Sequence, residues 1–324
     1  HKDYYDDEQN ASIMRQVAEN NYLPANQLLL DLIKTHGNSI KVSFAISGTA
    51  LDQMEQYVPE ALESFKILAA TGNVEFLGQP YSSSLSSLKS KTAFTEEVIA
   101  HQKRINALFG IKPTVFLNTG LVYSDEIGAM IAKMGFKGII IEGLPIILKQ
   151  RSPNLVYKSA STPALKILLR NQSLSDDIAL RFSQRTWNEW PLRADKYLTW
   201  LKELPPKDKV VNLVMDYGTF GEHNHKDTGV FEFLEHLLRY LVDDDHLNLS
   251  TPEDVLKIPP ARAKFKVLQP ISETGLENDS SVWLHSELQQ EAINNLYKLE
   301  ENLKGIKNRK IRKDWSYLQS ADHF

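Results

Sequence analysis

The chain has 324 residues, of which 42% are hydrophobic and 24% are charged, and its formal net charge is −4. These values are ordinary for a folded globular protein, and the small negative charge argues against nucleic-acid binding. The sequence contains no cysteine, which excludes disulfides, thiolate metal sites and a cysteine nucleophile.

Apolar periodicity and turn residues predict alternating helices and strands along most of the chain. We predict helices where an apolar stripe ends at a glycine or a turn, and strands where a short apolar run ends in polar residues. In chain order the predicted helices are 24–36, 59–71, 95–109, 124–134, 192–203 and 230–241. The predicted strands and short apolar runs are 41–47, 74–77, 114–117, 138–141, 165–169 and 210–215.

This alternation predicts an α/β fold in which helices connect parallel strands. No glycine-rich phosphate loop follows a strand, so we favour a barrel, regular or distorted, over an open nucleotide-binding sheet. The pattern changes near residue 251, where Thr251 and Pro252 begin a helix, and 282–303 reads as a long amphipathic helix. We therefore predict a barrel domain at 1–250 and a helical extension packed on it at 251–324.

Asp216 is the first candidate for chemistry. It follows the apolar run 210–215, which is typical of a strand buried on both faces. Active sites of parallel α/β folds lie at the carboxyl ends of their strands. The alternative is a turn or capping aspartate. Glu142 follows the run 139–141 in the same way, and it is either a substrate contact or the partner of a basic residue.

Other polar and aromatic candidates follow predicted strands or lie in predicted loops. Gln79, Tyr81 and Asn118 come directly after two of them. Trp187, Trp190 and Tyr217 lie in predicted loops, where aromatic rings either support sugar rings or pack in the core. The segment 222–225 (EHNH) is either a polar loop or part of a metal site, although no third ligand is evident.

Four segments, in order, resemble the second to fifth signature regions of glycoside hydrolase family 57 in its α-amylase branch. They are 75–85 (EFLGQPYSSSL), 113–127 (PTVFLNTGLVYSDEI), 215–223 (MDYGTFGEH) and 314–324 (DWSYLQSADHF). The resemblance covers essentially the whole chain. It implies an incomplete (β/α)7 barrel followed by a helical region, and retaining hydrolysis or transfer of α-glucan chains. The first signature region, a strand with a His-Gln-Pro motif, is absent from this chain, and we expect residues to be missing at both ends.

The resemblance also implies roles for individual residues. Asp216 takes the acid/base position, whereas Gly120 stands at the position of the nucleophilic glutamate. Gly218 likewise replaces a glutamate, and Gln79 and Ser83 replace a glutamate and a histidine. Together with the strand-end candidates, this gives the expected substrate-binding residues, which are Gln79, Tyr81, Asn118, Glu142, Trp190, Tyr217, Glu222, His223, Gln319 and Asp322.

A retaining glycosidase needs two carboxyl groups about 5–5.5 Å apart, and glycine supplies none. The sequence therefore predicts an α-amylase-like protein that processes or binds α-glucan or maltooligosaccharides, with impaired catalysis. One alternative is an active divergent hydrolase or glucanotransferase that uses Asp216 with Glu142 or a bound water. Others are a metal-dependent carbohydrate deacetylase, with Asp216, His223 and His225 on one ion, and a structural or regulatory partner.

We expect no cofactor and no partner other than the carbohydrate. No apolar stretch approaches the roughly 18 residues of a membrane-spanning helix, and no signal-peptide pattern is present. We therefore expect a cytoplasmic protein that binds neither membranes nor nucleic acid. The basic run 304–313 is the one concentration of positive charge, and it is typical of a solvated surface.

Overall fold

The computed structural model describes residues 6–273, 281–303 and 305–324. Its α-helices are α1 Asp7–Val17, α2 Leu23–His36, α3 Gly48–Tyr57, α4 Pro59–Ala70, α5 Ser86–Lys89, α6 Lys91–Phe109, α7 Asp125–Lys133, α8 Pro145–Leu148, α9 Gln172–Ala179, α10 Ala194–Lys202, α11 Val230–Val242, α12 Pro252–Val255, α13 Ser281–Leu284, α14 Glu287–Leu303 and α15 Arg309–Leu318. The strands are β1 Val42–Phe44, β2 Val74–Phe76, β3 Val115–Leu117, β4 Gly138–Glu142, β5 Tyr157–Ser159, β6 Lys166–Arg170 and β7 Lys264–Phe265. No helix in these ranges combines the length and the apolar character needed to cross a membrane.

The chain divides into two compact units that are not contiguous in sequence. The first unit contains residues 1–44, 50–75 and 171–255, and the second contains 45–49, 76–170 and 256–324. The predicted division into 1–250 and 251–324 stays a prediction.

The first unit is mainly helical. Its apolar core lies between α10 and α11 and includes Tyr197, Phe233 and Leu237. Helix α11 contributes an apolar stripe at helical spacing, as expected for a helix that covers a core. A short helix of π type, Ala18–Tyr22, joins α1 to α2.

The second unit contains a five-stranded sheet in the order β3-β4-β6-β5-β7. Strands β3, β4 and β6 are parallel and in continuous register, whereas β5 is antiparallel to β6. Gly78 extends the parallel part through a bridge with Phe116. The central strands β4 and β6 are buried along almost their whole length, which explains their unbroken apolar sequences.

Helix caps fix where the chain turns after two of these strands. Ser124 accepts a hydrogen bond from the Ile127 amide at 3.3 Å and begins α7, and Asn171 accepts one from the Leu174 amide at 3.0 Å and begins α9. Asn171 directly follows β6. A capped helix therefore follows each of these two strands along the chain.

The predicted strand at 210–215 is wrong. Residues 210–215 form no strand, and only Val210 among them is fully buried. Hydrogen bonds still hold this segment in place, since the Asn212 carbonyl accepts from the Asn171 amide at 2.9 Å and the Val214 amide donates to Ser175 Oγ at 3.1 Å. A side-chain hydroxyl thus satisfies an amide that a neighbouring strand would otherwise satisfy.

The C-terminal region also differs in detail from the prediction. The helix predicted at 282–303 consists of two helices, α13 and α14, and Ser286 lies between them, where its hydroxyl accepts from the Gln289 amide and begins α14. Helix α15 begins inside the basic run 304–313. Residue 304 lies outside the described residues, and Lys307, Lys310, Arg312 and Lys313 are exposed, as expected for a solvated surface.

Candidate active site

In the second unit, three predicted residues and Arg170 lie at the carboxyl ends of neighbouring parallel strands. Gln79 follows the Gly78 bridge, Asn118 follows β3, and Glu142 and Arg170 end β4 and β6 as direct partners in the register. All four side chains are buried, and Asn118 and Glu142 have no exposed surface. The topology therefore gathers polar groups at one end of the sheet, where α/β enzymes build their sites.

The turn after β3 is built around Asn118. Its Nδ2 donates to Ser87 Oγ at 3.0 Å and to the Val122 carbonyl at 2.9 Å. Its Oδ1 and the hydroxyl of Thr119 are buried without a hydrogen-bond partner among the described residues. Buried polar atoms of this kind are costly unless a ligand or water meets them.

Gly120 occupies the tightest position in this turn. Its φ of +55° lies in the left-handed region, which favours glycine. A Cβ atom at this position would overlap Cη2 of Trp283 and lie 3.1 Å from both Cζ2 and Cζ3 of the same ring. The Gly120 carbonyl accepts hydrogen bonds from Ser272 Oγ at 2.7 Å and from the Glu273 amide at 3.1 Å. A side chain here would therefore strain the backbone and require the Trp283 ring to shift.

Glu142 forms a buried ion pair. Its Oε2 lies 3.1 Å from Nη1 of Arg170, and its Oε1 accepts from the Gly143 amide at 2.9 Å. The Glu142 side chain is fully buried and that of Arg170 is 8% exposed. In this arrangement Arg170 engages one carboxylate oxygen and the Gly143 amide engages the other, so the carboxylate serves the pairing of two strand ends.

The loop after Gln79 meets the C-terminal segment. Ser84 bridges to Ser320, and the Ala321 amide donates to the Ser83 carbonyl at 3.1 Å. Gln319 is buried, and neither polar atom of its side chain has a hydrogen-bond partner among the described residues. The structure thus brings the segment that contains Gln319 to the loop that follows Gln79. Tyr81 lies against Gly48, and Asp322 is exposed.

Two buried titratable residues beneath this loop were not predicted. Glu97 accepts from the Ser82 amide at 2.7 Å and from Ser316 Oγ at 3.0 Å, and burial raises its pKa. His101 accepts from the Gln79 amide at 3.4 Å through Nδ1, and its Nε2 faces the Ile46 carbonyl at 2.8 Å. Both lie on α6 at a spacing of four, so they share one face of the helix. Polar residues on the buried face of a long helix are the sequence signal that could have identified them.

We predict that His101 makes the protein less stable in acid. Burial lowers the pKa of His101 to about 4, from an ordinary value of 6.5. Between these two values the unfolded chain binds a proton that the folded chain rejects, so the free energy of unfolding falls as pH drops, by up to about 3 kcal/mol. Urea unfolding at pH 7, 5.5 and 4.5 should show a smaller pH dependence for His101→Gln than for the parent.

The exposed His246→Gln variant is the matched control and should keep the parental slope. Glu75 changes stability in the opposite direction, because burial raises its pKa to about 7. The stability that its protonated carboxyl group contributes to the folded state is lost as pH rises from 4.5. The comparison between variants is therefore more informative than the parental curve alone. Equal slopes for His101→Gln and the parent would contradict the prediction.

In the first unit, Asp216 begins a loop that the N-terminal helices hold firmly. Asn21 Nδ2 donates to the carbonyls of Tyr217 and Phe220 at 2.7 and 2.6 Å, and the Tyr217 hydroxyl donates to Asn26 Oδ1 at 2.7 Å. The Tyr217 ring stacks on Tyr22 with centroids 6.2 Å apart. Tyr217 therefore packs in an aromatic cluster and anchors the loop, while the Asp216 side chain is exposed.

The acidic groups of this loop act on one tyrosine. Burial raises the pKa of Tyr22, and the charges of Asp216 and Glu222 raise it further. Oε1 of Glu222 is buried without a hydrogen-bond partner among the described residues. Gly218 differs from Gly120, because the nearest atoms that a Cβ there would meet are His223 Nε2 at 3.3 Å, His223 Cε1 at 3.5 Å and Glu222 Cβ at 3.6 Å. A Cβ atom at 218 would therefore be less crowded than one at 120, although His223 would have to move slightly.

The remaining candidate residues of the first unit are His223, His225 and Trp190. His223 and His225 are both exposed in the same polar loop, and the described ranges contain no group of three or more His, Cys, Asp or Glu side chains that could hold a metal ion. Trp190 is 43% exposed and lines a cavity beside α10 and α11.

Comparison with known proteins shows the family. The model of glycosyl hydrolase family 57 matches residues 1–272. A Methanocaldococcus jannaschii protein described as "Putative alpha-amylase" is 37% identical over 99% of this chain and 70% of its own length.

Solved structures of low sequence identity show the fold. A GH57 branching enzyme from Thermococcus kodakaraensis gives a TM-score of 0.77 at 11% identity, over 99% of this chain and 82% of its own. A 4-alpha-glucanotransferase from Thermococcus litoralis gives 0.67 at 16% identity, over 90% of this chain, which spans only 44% of that enzyme. The predicted fold class, an α/β protein with an incomplete (β/α)7 barrel followed by a helical region, is confirmed. The chain belongs to glycosyl hydrolase family 57.

Proposed function

We propose that this protein binds α-glucan chains and has lost the retaining chemistry of its family. The proposal rests on Gly120, which stands where the resemblance places the nucleophilic glutamate. A side chain there would strain the left-handed backbone and require the Trp283 ring to shift. A missing nucleophile in a catalytic unit removes many orders of magnitude of rate.

The α-glucan assignment comes from the relatives. The similar proteins are named as an α-amylase, a branching enzyme and a 4-alpha-glucanotransferase, and enzymes with these names act on α-glucans. In this chain, buried polar atoms without partners among the described residues support a ligand rich in hydroxyl groups. They are Asn118 Oδ1, Thr119 Oγ1 and both amide atoms of Gln319.

The roles of the other residues follow from this proposal. Asp216, exposed at the start of an anchored loop, is the retained acid/base position. Gln79, Tyr81, Asn118, Gln319 and Asp322 in the second unit are proposed substrate contacts, as are Glu222 and His223 in the first. Tyr217 is proposed to contribute by anchoring its loop.

The alternative with Glu142 as a catalytic base loses support from the geometry. A base that activates water needs access to that water, and Glu142 is fully buried and held by Arg170 and Gly143. No observation on the described residues favours the deacetylase alternative.

The decisive test combines binding and hydrolysis. We expect isothermal titration calorimetry to show binding of maltoheptaose, and a reducing-end assay to show no cleavage above the background of an Asp216→Asn variant. Cleavage of maltoheptaose by the parent that Asp216→Asn abolishes would show that a functional two-residue mechanism persists. Absence of any binding would contradict the other half of the proposal.

A further inference from the structure

We propose that the cavity lined by α10 and α11 in the first unit is a further α-glucan-binding site, with Trp190 and Tyr240 as its aromatic contacts. The choice of ligand rests on the proposed function. The position of the site rests on the cavity itself, whose lining residues all belong to the first unit.

The cavity has the size and floor of a small-ligand site. Its volume is about 380 Å³, within the roughly 300–1,000 Å³ of known ligand pockets. Phe182, Leu192 and Phe233 form a buried apolar floor that belongs to the core of the first unit. Core packing therefore fixes the floor of the cavity.

Exposed aromatic rings form its walls. Trp190 is 43% exposed and Tyr240 is 38% exposed, although large aromatic side chains are normally buried. The Tyr240 ring stacks near His236 with centroids 6.1 Å apart, and Arg185 lies over the Trp190 ring at 5.9 Å. These contacts hold the rings in place. Pre-ordered aromatic faces are suited to the apolar C–H faces of sugar rings.

The polar rim favours a neutral ligand with many hydroxyl groups. Arg193 holds Asp195 through two hydrogen bonds of 3.1 and 2.6 Å, which presents a planar array of donors and acceptors. Glu232 and His236 line the same cavity from α11. The carboxylates repel a polyanion and Arg193 repels a cation, whereas hydroxyl groups can both donate hydrogen bonds to this rim and accept them from it.

The spacing on α11 explains how one helix supplies a wall. Glu232, His236 and Tyr240 are four residues apart and Phe233 lies three residues before His236, so they share one face. The same helix buries Leu237 and Leu241 in the core of the unit. Core packing of α11 therefore positions the residues that line the cavity.

The experiment uses fluorine NMR of the full chain labelled with 5-fluorotryptophan. The protein has five tryptophans, so Trp190 in the cavity and Trp283 beside Gly120 give separate signals, assigned with Trp190→Phe and Trp283→Phe. On titration with maltoheptaose we expect the Trp190 signal to shift with saturation. Tyr240→Ala should weaken this response about tenfold, as expected for loss of one aromatic contact. Leu268→Ala, which removes a side chain that is 69% exposed in the second unit, should leave it unchanged.

The outcomes separate the two proposals. A Trp190 signal that does not respond to maltoheptaose overturns the cavity site, even where the Trp283 signal responds and supports the strand-end site. A response of Trp190 alone supports the cavity site and speaks against glucan binding at the strand ends. A Trp190 response that Tyr240→Ala leaves unchanged also overturns the inference, provided that circular dichroism shows the variant folded.

Discussion

Replacing Gly120 with glutamate is expected to destabilise the protein by about 2–4 kcal/mol and to yield no retaining glycosidase. The backbone contributes about 1 kcal/mol, because a non-glycine residue must adopt a left-handed conformation. Overlap with Trp283 contributes about 1–3 kcal/mol more, because that ring packs against two apolar clusters and cannot move freely. The measurements are urea unfolding and a reducing-end assay with maltoheptaose.

Alanine variants separate the two contributions. Gly110 in the same unit also has a positive φ, of 68°, but a Cβ added there would meet no atom within 4 Å, so Gly110→Ala reports the backbone cost alone. Gly120→Ala should cost more than this control. In a Trp283→Ala background the two glycine replacements should cost nearly the same, which a double-mutant cycle measures. Equal costs for Gly110→Ala and Gly120→Ala in the parent would show that Trp283 does not exclude a side chain.

The second large effect concerns the buried pair of Glu142 and Arg170. Replacing Arg170 with methionine is expected to destabilise the protein by about 3–5 kcal/mol, because the Glu142 carboxylate would stay buried without its partner. Joint replacement with Glu142→Leu should recover much of this loss, since two apolar side chains leave no buried charge. Chemical denaturation measures the free energy of unfolding of each variant, and the dependence of that free energy on denaturant concentration should match between variants.

The exposed pair of Arg193 and Asp195 supplies the control. Its side chains are 71% and 52% exposed, so Arg193→Met should cost less than about 1 kcal/mol. If Arg170→Met were as mild as Arg193→Met, Glu142 would not depend on its partner. That outcome would contradict a purely structural role for Glu142 and would favour its role as a catalytic base.

Local sequence rules predicted most of the elements that build the second unit. The helix predicted at 95–109 is the greater part of α6, which ends before Gly110, and the apolar runs at 138–141 and 165–169 are the central strands β4 and β6. These predictions succeeded because strands buried on both faces have continuous apolar sequences. The same rule failed at 210–215, where partly exposed apolar residues follow one another without forming a strand. Apolar sequence alone does not report pairing, which depends on neighbours distant in the chain.

By itself, the sequence determined the family, the position of Asp216 and the absence of a carboxylate at 120, because these are properties of residue identity and order. Only the tertiary structure decided that Glu142 is neutralised by Arg170 and that Trp283 fills the space beside Gly120. It also decided that a Cβ atom would be less crowded at Gly218 than at Gly120. Each of these depends on which atoms lie within a few ångströms of each other across long stretches of chain, and residue order does not specify such distances.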